Sequence, residues 1–191
     1  KASIVAFAHL SSRLGEYTRG KTRGSPWLRL QGAHTLRCLA IPKRRRNMSA
    51  IERANLTIED LLPHRGAMLL IDEVLEVDAV HARTLSTVRP DWPLTDARGA
   101  EALICVELAA QTAGVCNGWD RIQSRGLDSD QMGWLVAVKR ADFFVDRLPL
   151  GRKIEASAEN TLVFDKFREV VSQLHQDGQL AASVVLQLYQ A

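Results

Sequence analysis

The sequence has few of the features that mark membrane, metal-binding or disulfide-bonded proteins. Its three cysteines, Cys38, Cys105 and Cys116, are odd in number and show no metal-ligand spacing, so we expect a reduced, cytoplasmic protein with no metal site. The longest uncharged stretch near the centre begins at Leu108 and is shorter than the roughly 18 residues of a membrane span. A membrane-spanning protein is therefore not expected.

What is present is the composition of a protein with a buried core and an uneven distribution of charge. The 191 residues are 46% hydrophobic and 25% charged, with a net charge of +3. Residues 1–50 carry 11 Lys/Arg and a single acid, Glu16, for a net +10, whereas residues 51–191 carry 14 basic and 21 acidic residues, for a net −7. The chain is thus predicted to consist of a basic leader, 1–50, and an acidic domain, 51–191.

The leader is open to several interpretations. Lys1 and the apolar residues after it give the outline of a signal peptide, the Arg-rich composition is typical of an organellar transit peptide, and a basic arm could bind nucleic acid. The interpretation we favour is that Met48 is the natural start, which makes the leader disordered or upstream sequence. Nucleic acid is not expected as a partner, because Trp27 stands alone among the basic residues.

The first half of the domain shows signals for a short helix, a hairpin and a long helix. Thr57 is a good N-cap for a helix that Pro63 ends, and β-branched residues in 68–78 and 81–88 predict two paired strands. The segment from Ala100 to about Arg121 is rich in Ala and Leu and lacks proline, so it predicts one long helix. Because this helix is apolar on nearly every face, it should be buried all round.

The second half of the domain contains three or four strand candidates. They are MGWLVAVKRADFFV, KIEASAENTLV, FREVVSQLHQ and QLAASVVLQLY, and Asp177-Gly178 predicts a hairpin between the last two. A hairpin, a long helix and an antiparallel meander give an α+β domain in which an antiparallel sheet wraps around the central helix.

Glu107 is the unusual residue of the long helix, because a carboxylate inside an apolar helix is costly unless it is paired. Gln111 lies one turn later on the same face and could hold it. Amphipathic helices are far commoner than active sites, so this pattern alone favours a narrow stripe on which both residues meet water.

His64 makes a functional role for Glu107 more plausible than the helix pattern alone suggests. It lies in PHRGAMLLID, on a turn from which a side chain could project into a cleft. A loop histidine is more often exposed or structural. A histidine and a glutamate together, however, are the usual pair for acid–base chemistry near neutral pH. Sequence spacing does not show whether His64 and Glu107 meet.

The motifs LLPHRGAMLLIDEVLEV and VELAAQTAG, followed by VKRADFFVDRLPLGRKI, resemble the β-hydroxyacyl-acyl-carrier-protein dehydratases of the FabA/FabZ type. The resemblance covers about residues 56–190 and implies the hotdog fold. It implies that Glu107 works with the substrate hydroxyl and that Gln111 supports it. It also implies that the helix N-terminus, near Gly99 and Ala100, presents backbone N–H groups to the thioester carbonyl.

The chain departs from this family at its catalytic base. In the family the base lies in a GHFPG-like loop before the central helix, and the histidine that matches His64 is not the base. The corresponding loop here, RPDWPLTDARGAEAL, has no histidine. Three explanations follow: His64 has taken over the role, a partner hotdog subunit supplies the histidine, or the protein binds acyl thioesters without dehydrating them.

The histidine-poor loop resembles a subgroup, the dehydratase-like (ApeP-like) proteins of aryl-polyene gene clusters. The resemblance implies dehydration of a (3R)-hydroxyacyl thioester in fatty-acid or polyketide-type synthesis, with a non-catalytic carrier-binding subunit and a thioesterase as alternatives. It also implies a homodimer or a heterodimer with another hotdog subunit. We expect an acyl carrier protein as partner, with the substrate on its phosphopantetheine, and no other cofactor.

The domain has one concentration of basic residues after the helix, despite its negative net charge. Such residues could dock an acidic carrier protein, and a solvated strand face with scattered charges explains them equally well. The candidates are Lys139, Arg140, Arg147, Arg152 and Lys153.

Overall fold

The computed structural model describes Ile51 and residues 55–190. The predictions for the basic leader lie outside the described residues. Two α-helices are described, α1 (Ile58–Leu61) and α2 (Ile104–Arg125). The strands are β1 (Glu73–Val77), β2 (His81–Thr87), β3 (Thr95–Asp96), β4 (Gly99–Glu101), β5 (Gly133–Phe143), β6 (Arg147–Leu148), β7 (Lys153–Phe164), β8 (Phe167–Gln176) and β9 (Gln179–Gln190).

The large sheet has six antiparallel strands in the order β1-β2-β7-β8-β9-β5. Its inner face carries alternating small and apolar residues, which pack against α2. The hairpin predicted at Asp177-Gly178 is confirmed: both residues have positive φ, at 50° and 80°, as a tight two-residue turn requires. The predicted α+β arrangement, a sheet wrapped around one long helix, is the architecture observed.

The segment that leads into β1 is irregular where a strand was predicted. Met68 lies in a 3₁₀ turn, Gly66–Met68, and β1 begins only at Glu73. In this segment the Met68 carbonyl oxygen and the Leu70 N–H form hydrogen bonds with the Gln111 side chain of α2, and only the Asp72 N–H bonds to β2, at the Leu85 carbonyl oxygen.

A second, small sheet of β3, β4 and β6 occupies the place where the long helix was predicted to begin. Gly99 adopts a φ of +115°, and a Cβ there would lie 2.3 Å from the Leu148 carbonyl oxygen. This close approach lets β4 pair with β6, so the chain stays extended through residues 99–101. The helix therefore starts at Ile104 rather than Ala100.

The far end of α2 also lies four residues beyond the predicted end. The helix runs to Arg125 and stops at Gly126, whose φ of 86° ends the helical conformation. In the part of the chain that the structure describes, no helix is long and apolar enough to cross a membrane.

Two glycines of α2 allow the first segment of the domain to pack directly on the helix. A Cβ at Gly118 would lie 2.3 Å from the backbone oxygen of Leu61, and a Cβ at Gly114 would lie 2.7 Å from the side-chain end of Leu62. Leu61 and Leu62 are themselves almost fully buried. This contact holds α1, and the turn that follows it, against one face of α2.

Replacing Gly118 with alanine should destabilise the domain. The new methyl group would clash with backbone, which cannot rotate away, and such overpacking costs about 1–3 kcal/mol. We expect a net loss of about 2 kcal/mol in the free energy of unfolding for Gly118→Ala, measured by urea denaturation, despite the higher helix propensity of alanine. Gly114→Ala is the matched control, with a smaller loss because the Leu62 side chain can move. Equal stability of Gly118→Ala and the wild type would show that the close packing is not needed.

Candidate active site

Glu107 lies in the first turn of α2, where the positive end of the helix stabilises a carboxylate. Only 5% of the residue is exposed, so the group has lost most of its contact with water. A buried carboxylate needs partners to offset this loss. The partners are Gln111 and His64.

Gln111 is fully buried and uses both ends of its carboxamide. Its Nε2 donates to Glu107 Oε1 at 2.9 Å and to the Met68 carbonyl oxygen at 2.7 Å. Its Oε1 accepts from the Leu70 backbone N–H at 3.0 Å. One side chain thus binds the carboxylate and ties the irregular segment before β1 to the helix.

His64 lies beside the same carboxylate in the same chain. Its Nε2 is 3.3 Å from Glu107 Oε1, with 15% of the His64 side chain and 7% of the Glu107 side chain exposed. The turn that carries His64 is held by Arg65, which donates to the carbonyl oxygens of Leu62 and His64 at 2.6 and 2.7 Å. The two residues whose meeting the sequence could not show are therefore in direct contact.

The interpretation of Glu107 and Gln111 as a solvent-exposed stripe is wrong. The stripe of α2 that contains both residues is covered by the segment from Asp60 to Leu70. At its far end Arg121, which is 1% exposed, donates to the Asp60 carbonyl oxygen at 2.6 Å and to the Ser129 carbonyl oxygen at 2.8 Å. Arg121 was not predicted to belong to this site, although its spacing of 14 residues from Glu107 places it on the same helix face.

Gly99 and Ala100 do not lie at the helix N-terminus. Both belong to β4, and the Gly99 carbonyl oxygen accepts from Arg147 Nη1 at 2.8 Å. The helix start is instead at Leu103, which has no side-chain cap. Substrate binding by Gly99 and Ala100 remains a prediction, but any helix-start N–H groups that face the substrate come from later residues.

The loop that lacks the family histidine is packed into the protein by a tryptophan. Trp92 is 3% exposed, and the Arg89 guanidinium lies over its ring at 5.7 Å. Arg89 also donates to Asp72 Oδ1 at 2.6 Å and to the Leu69 carbonyl oxygen at 2.7 Å. Arg89 therefore fixes this loop to the segment that Gln111 holds from the other side.

The basic residues proposed for carrier docking are spread over the fold. Arg140 is on β5, where it pairs with Val185 of β9, and Lys153 is the first residue of β7, where it pairs with Thr87 of β2. Strands β8 and β9 lie between β5 and β7. Four of the five form ion pairs within the chain: Lys139 with Glu169, Arg140 with Asp142, Arg147 with Asp96 and Arg152 with Asp177. The structure does not gather them into one patch, and their docking role remains a prediction.

The buried cysteines do not supply a nucleophile to the site. Burial raises the pKa of both the Cys105 and the Cys116 thiol to about 12, so each thiol is neutral at physiological pH. Within the described residues, no group of three or more His, Cys, Asp or Glu side chains could hold a metal ion. The chemistry that the geometry provides is proton transfer between a carboxyl group and an imidazole.

Replacing Gln111 with methionine should cost far more stability than a surface substitution. Methionine has a similar size but leaves the Glu107 carboxylate and the Met68 and Leu70 backbone groups without their partner. We expect the free energy of unfolding to fall by about 3 kcal/mol, because each buried polar group left unsatisfied costs about 1–3 kcal/mol. The control is Gln123→Met, at an exposed position of the same helix. A similar small effect of both substitutions would contradict the central role of Gln111.

Comparisons with known proteins agree with this fold. A family model for ApeP-like proteins, described as ApeP dehydratase, matches residues 56–191. A search of curated proteins found no match. Two similar solved structures are a chain of the dehydratase heterocomplex ApeI:P from Xenorhabdus doucetiae and the HP0420 homologue from Helicobacter felis.

The Xenorhabdus chain is 24% identical, with a TM-score of 0.63, and the match covers 71% of this chain and 91% of that one. The Helicobacter protein is 13% identical, with a TM-score of 0.53 and coverage of 70% and 88%. These likenesses show that the fold is the hotdog fold. Since the family match covers more than half of the sequence and includes His64, Glu107 and Gln111, the chain belongs to the ApeP-like dehydratase family.

Proposed function

We propose that this protein eliminates water from a (3R)-hydroxyacyl thioester, with His64 and Glu107 as its acid–base pair. The observation that carries the proposal is the 3.3 Å contact between His64 Nε2 and Glu107 Oε1 within one chain. Dehydration needs one group to take a proton and another to give one, and histidine and glutamate suit both tasks. The contact supports a role for His64 as the base, in place of the histidine that the loop lacks.

The protons of the elimination balance if Glu107 starts with a proton and His64 Nε2 starts without one. His64 Nε2 takes the proton from the carbon next to the thioester, and the electrons of that C–H bond form the double bond. The C–O bond at the next carbon breaks, and Glu107, in its acid form, protonates the departing oxygen to give water. Return of the proton from His64 Nε2 to the Glu107 carboxylate, at Oε2, then restores both groups.

The contacts of Glu107 indicate which oxygen faces the substrate. Both Gln111 and His64 contact Oε1, so Oε2 is the oxygen that would protonate the leaving hydroxyl. The uncapped start of α2 lies one turn from Glu107. Its positive end would stabilise the negative charge that develops on the thioester carbonyl as the proton leaves.

The substrate and its carrier follow from the family rather than from a bound molecule. We infer that the acyl chain is attached to the phosphopantetheine of an acyl carrier protein, as in fatty-acid or polyketide-type synthesis. No other cofactor is needed, because the proposed pair supplies every proton in the reaction. Docking of the acidic carrier would use local cations, since the domain itself carries −7.

His64→Ala and Glu107→Gln should each lower the rate of dehydration of a 3-hydroxyacyl carrier substrate by at least about 100-fold, as expected when an acid–base group is lost. Glu107→Gln keeps the size of the side chain, and His175→Ala, on β8, is the control histidine. The enoyl thioester is measured by mass spectrometry, with the protein alone and with a candidate hotdog partner.

Each other outcome rejects the proposal in a distinct way. Full activity of His64→Ala alone rejects His64 as the base. Activity that appears only in the mixture and survives Glu107→Gln identifies a non-catalytic carrier-binding subunit. Release of the free acid in place of the enoyl thioester identifies a thioesterase.

We further propose that a second hotdog subunit, a copy of this chain or a related protein, binds along β5. The similarity of this chain to a chain of the dehydratase heterocomplex from Xenorhabdus doucetiae supports such a partner. Within the described residues β5 pairs only with β9, so its outer edge presents unused backbone groups. Trp134, Val136 and Phe143 on this strand, and Phe144 just after it, are 38–58% exposed, which is unusual for large apolar side chains at a solvent-facing edge.

A charge on this edge should break the assembly. Val136→Lys is expected to shift the mass measured by light scattering from a dimer, or from the mixed complex, to that of the single chain, because a charged edge strand opposes pairing. Leu162→Lys is the matched control, since Leu162 is similarly exposed but lies on β7, which β8 and β9 separate from β5. An unchanged mass for Val136→Lys would place the interface elsewhere.

A further inference from the structure

One face of the large sheet carries a row of four aromatic side chains, one from each of four neighbouring strands. Phe164 of β7 pairs with Phe167 of β8, which pairs in turn with Tyr189 of β9. Tyr189 pairs with Trp134 of β5, and the two rings lie 6.0 Å apart. Residues that pair directly across strands point to the same face. Phe164 is 75% exposed, Trp134 43% and Tyr189 40%, so the row faces solvent in the single chain.

The aromatic row lies on the outer face of the sheet, the side away from α2. The neighbouring residues Arg168 and Leu188 point the other way, because Arg168 is buried and Leu188 packs against the core. Side chains alternate along a strand, so the aromatic residues point outward. Isolated exposed apolar side chains are common, but four in register form a contiguous patch, and such patches mark contact surfaces.

Two further rows of the outer face continue the patch along the same four strands. In the order β7, β8, β9 and β5, the first row is Leu162, Glu169, Gln187 and Ala137, and the second is Glu159, Val171, Val185 and Arg140. Lys139, also on β5, binds Glu169 at 2.7 Å. The two acids and two bases of these rows cancel, so the patch is neutral in a domain that carries −7. A second acidic domain is therefore not repelled locally.

The patch is complementary to itself. A two-fold axis along the strands, between β8 and β9, places β7 of one copy over β5 of the other and β8 over β9. Aromatic residues then meet aromatic residues, and Glu159 of each copy meets Arg140 of the other. Glu169 meets the neutral Gln187, so no like charges are opposed. Aligned sheets cross at about 30°, and the long, exposed side chains of Glu159 and Arg140 can span the resulting shift.

We propose that this outer face is a contact surface for a second copy of the chain, with sheet packed on sheet. Four strands about 4.8 Å apart and about six residues of about 3.3 Å along each cover about 400 Å². Stable complexes bury about 800 Å² per partner, so this contact is weak. It forms at high protein concentration and is dissociated at the low concentration suited to the light-scattering test of β5.

Sedimentation equilibrium of the full chain, from dilute to concentrated protein, tests this contact. The mean mass should rise with concentration to at least twice the mass of the dilute species. Glu159→Arg and Arg140→Glu should each raise the dissociation constant at least about tenfold, because like charges would then face each other twice. The double variant Glu159→Arg/Arg140→Glu restores opposite charges and should recover most of the affinity. Glu159 lies on β7, so its effect does not arise at the β5 edge.

Phe164→Asp should abolish the self-association, and Leu127→Asp, at a 48% exposed position outside the sheet, is the control. Thermal unfolding checks that each variant is folded. A mass that does not change with concentration, or a double variant no tighter than the single ones, overturns the proposal. It also fails if the wild type does not self-associate but binds a candidate hotdog partner that Phe164→Asp no longer binds, since the face then belongs to another protein. None of these outcomes depends on the proposed dehydration.

Discussion

The hydrogen bonds of one buried carboxamide hold the candidate site together. Gln111 binds Glu107 at 2.9 Å and the backbone of Met68 and Leu70 at 2.7 and 3.0 Å. These bonds replace the water that Glu107 lost on burial, and they also keep the chain before β1 from pairing as a regular strand. Without them a buried carboxylate would be too costly and the segment that carries His64 would have no anchor next to it.

Other residues on the Gln111 face of α2 also hold the first segment of the domain against the helix. Gly118 admits the backbone of Leu61, and Arg121 binds the Asp60 carbonyl oxygen, so the first segment of the domain packs along α2 from end to end. Gln111, Gly118 and Arg121, which look out of place in an apolar helix, thus all hold the segment that carries His64 against α2. In our proposal that geometry makes a single chain able to exchange the protons of dehydration.

The sequence predicted the architecture well because its signals were local. The alternation in β8 and β9 and the Asp177-Gly178 turn are each properties of a few neighbouring residues. The helix start was predicted four residues too early because β4 depends on a distant contact, the approach of Leu148 to Gly99. Glu107 was recognised as unusual from its sequence context. Its burial, however, depends on residues 64–70, about 40 residues earlier in the chain, and helix periodicity does not reveal a contact with so distant a segment.

In our proposal His64 and Glu107 act as a pair within one chain. Subunit complementation tests it directly: His64→Ala and Glu107→Gln chains are co-expressed with different tags, mixed dimers are purified through both tags, and dehydration is measured. If the pair belongs to one chain, each mixed dimer contains no intact pair and stays as inactive as the single variants. Recovery of a substantial part of the wild-type rate would show that the two residues meet across the interface and would contradict the account.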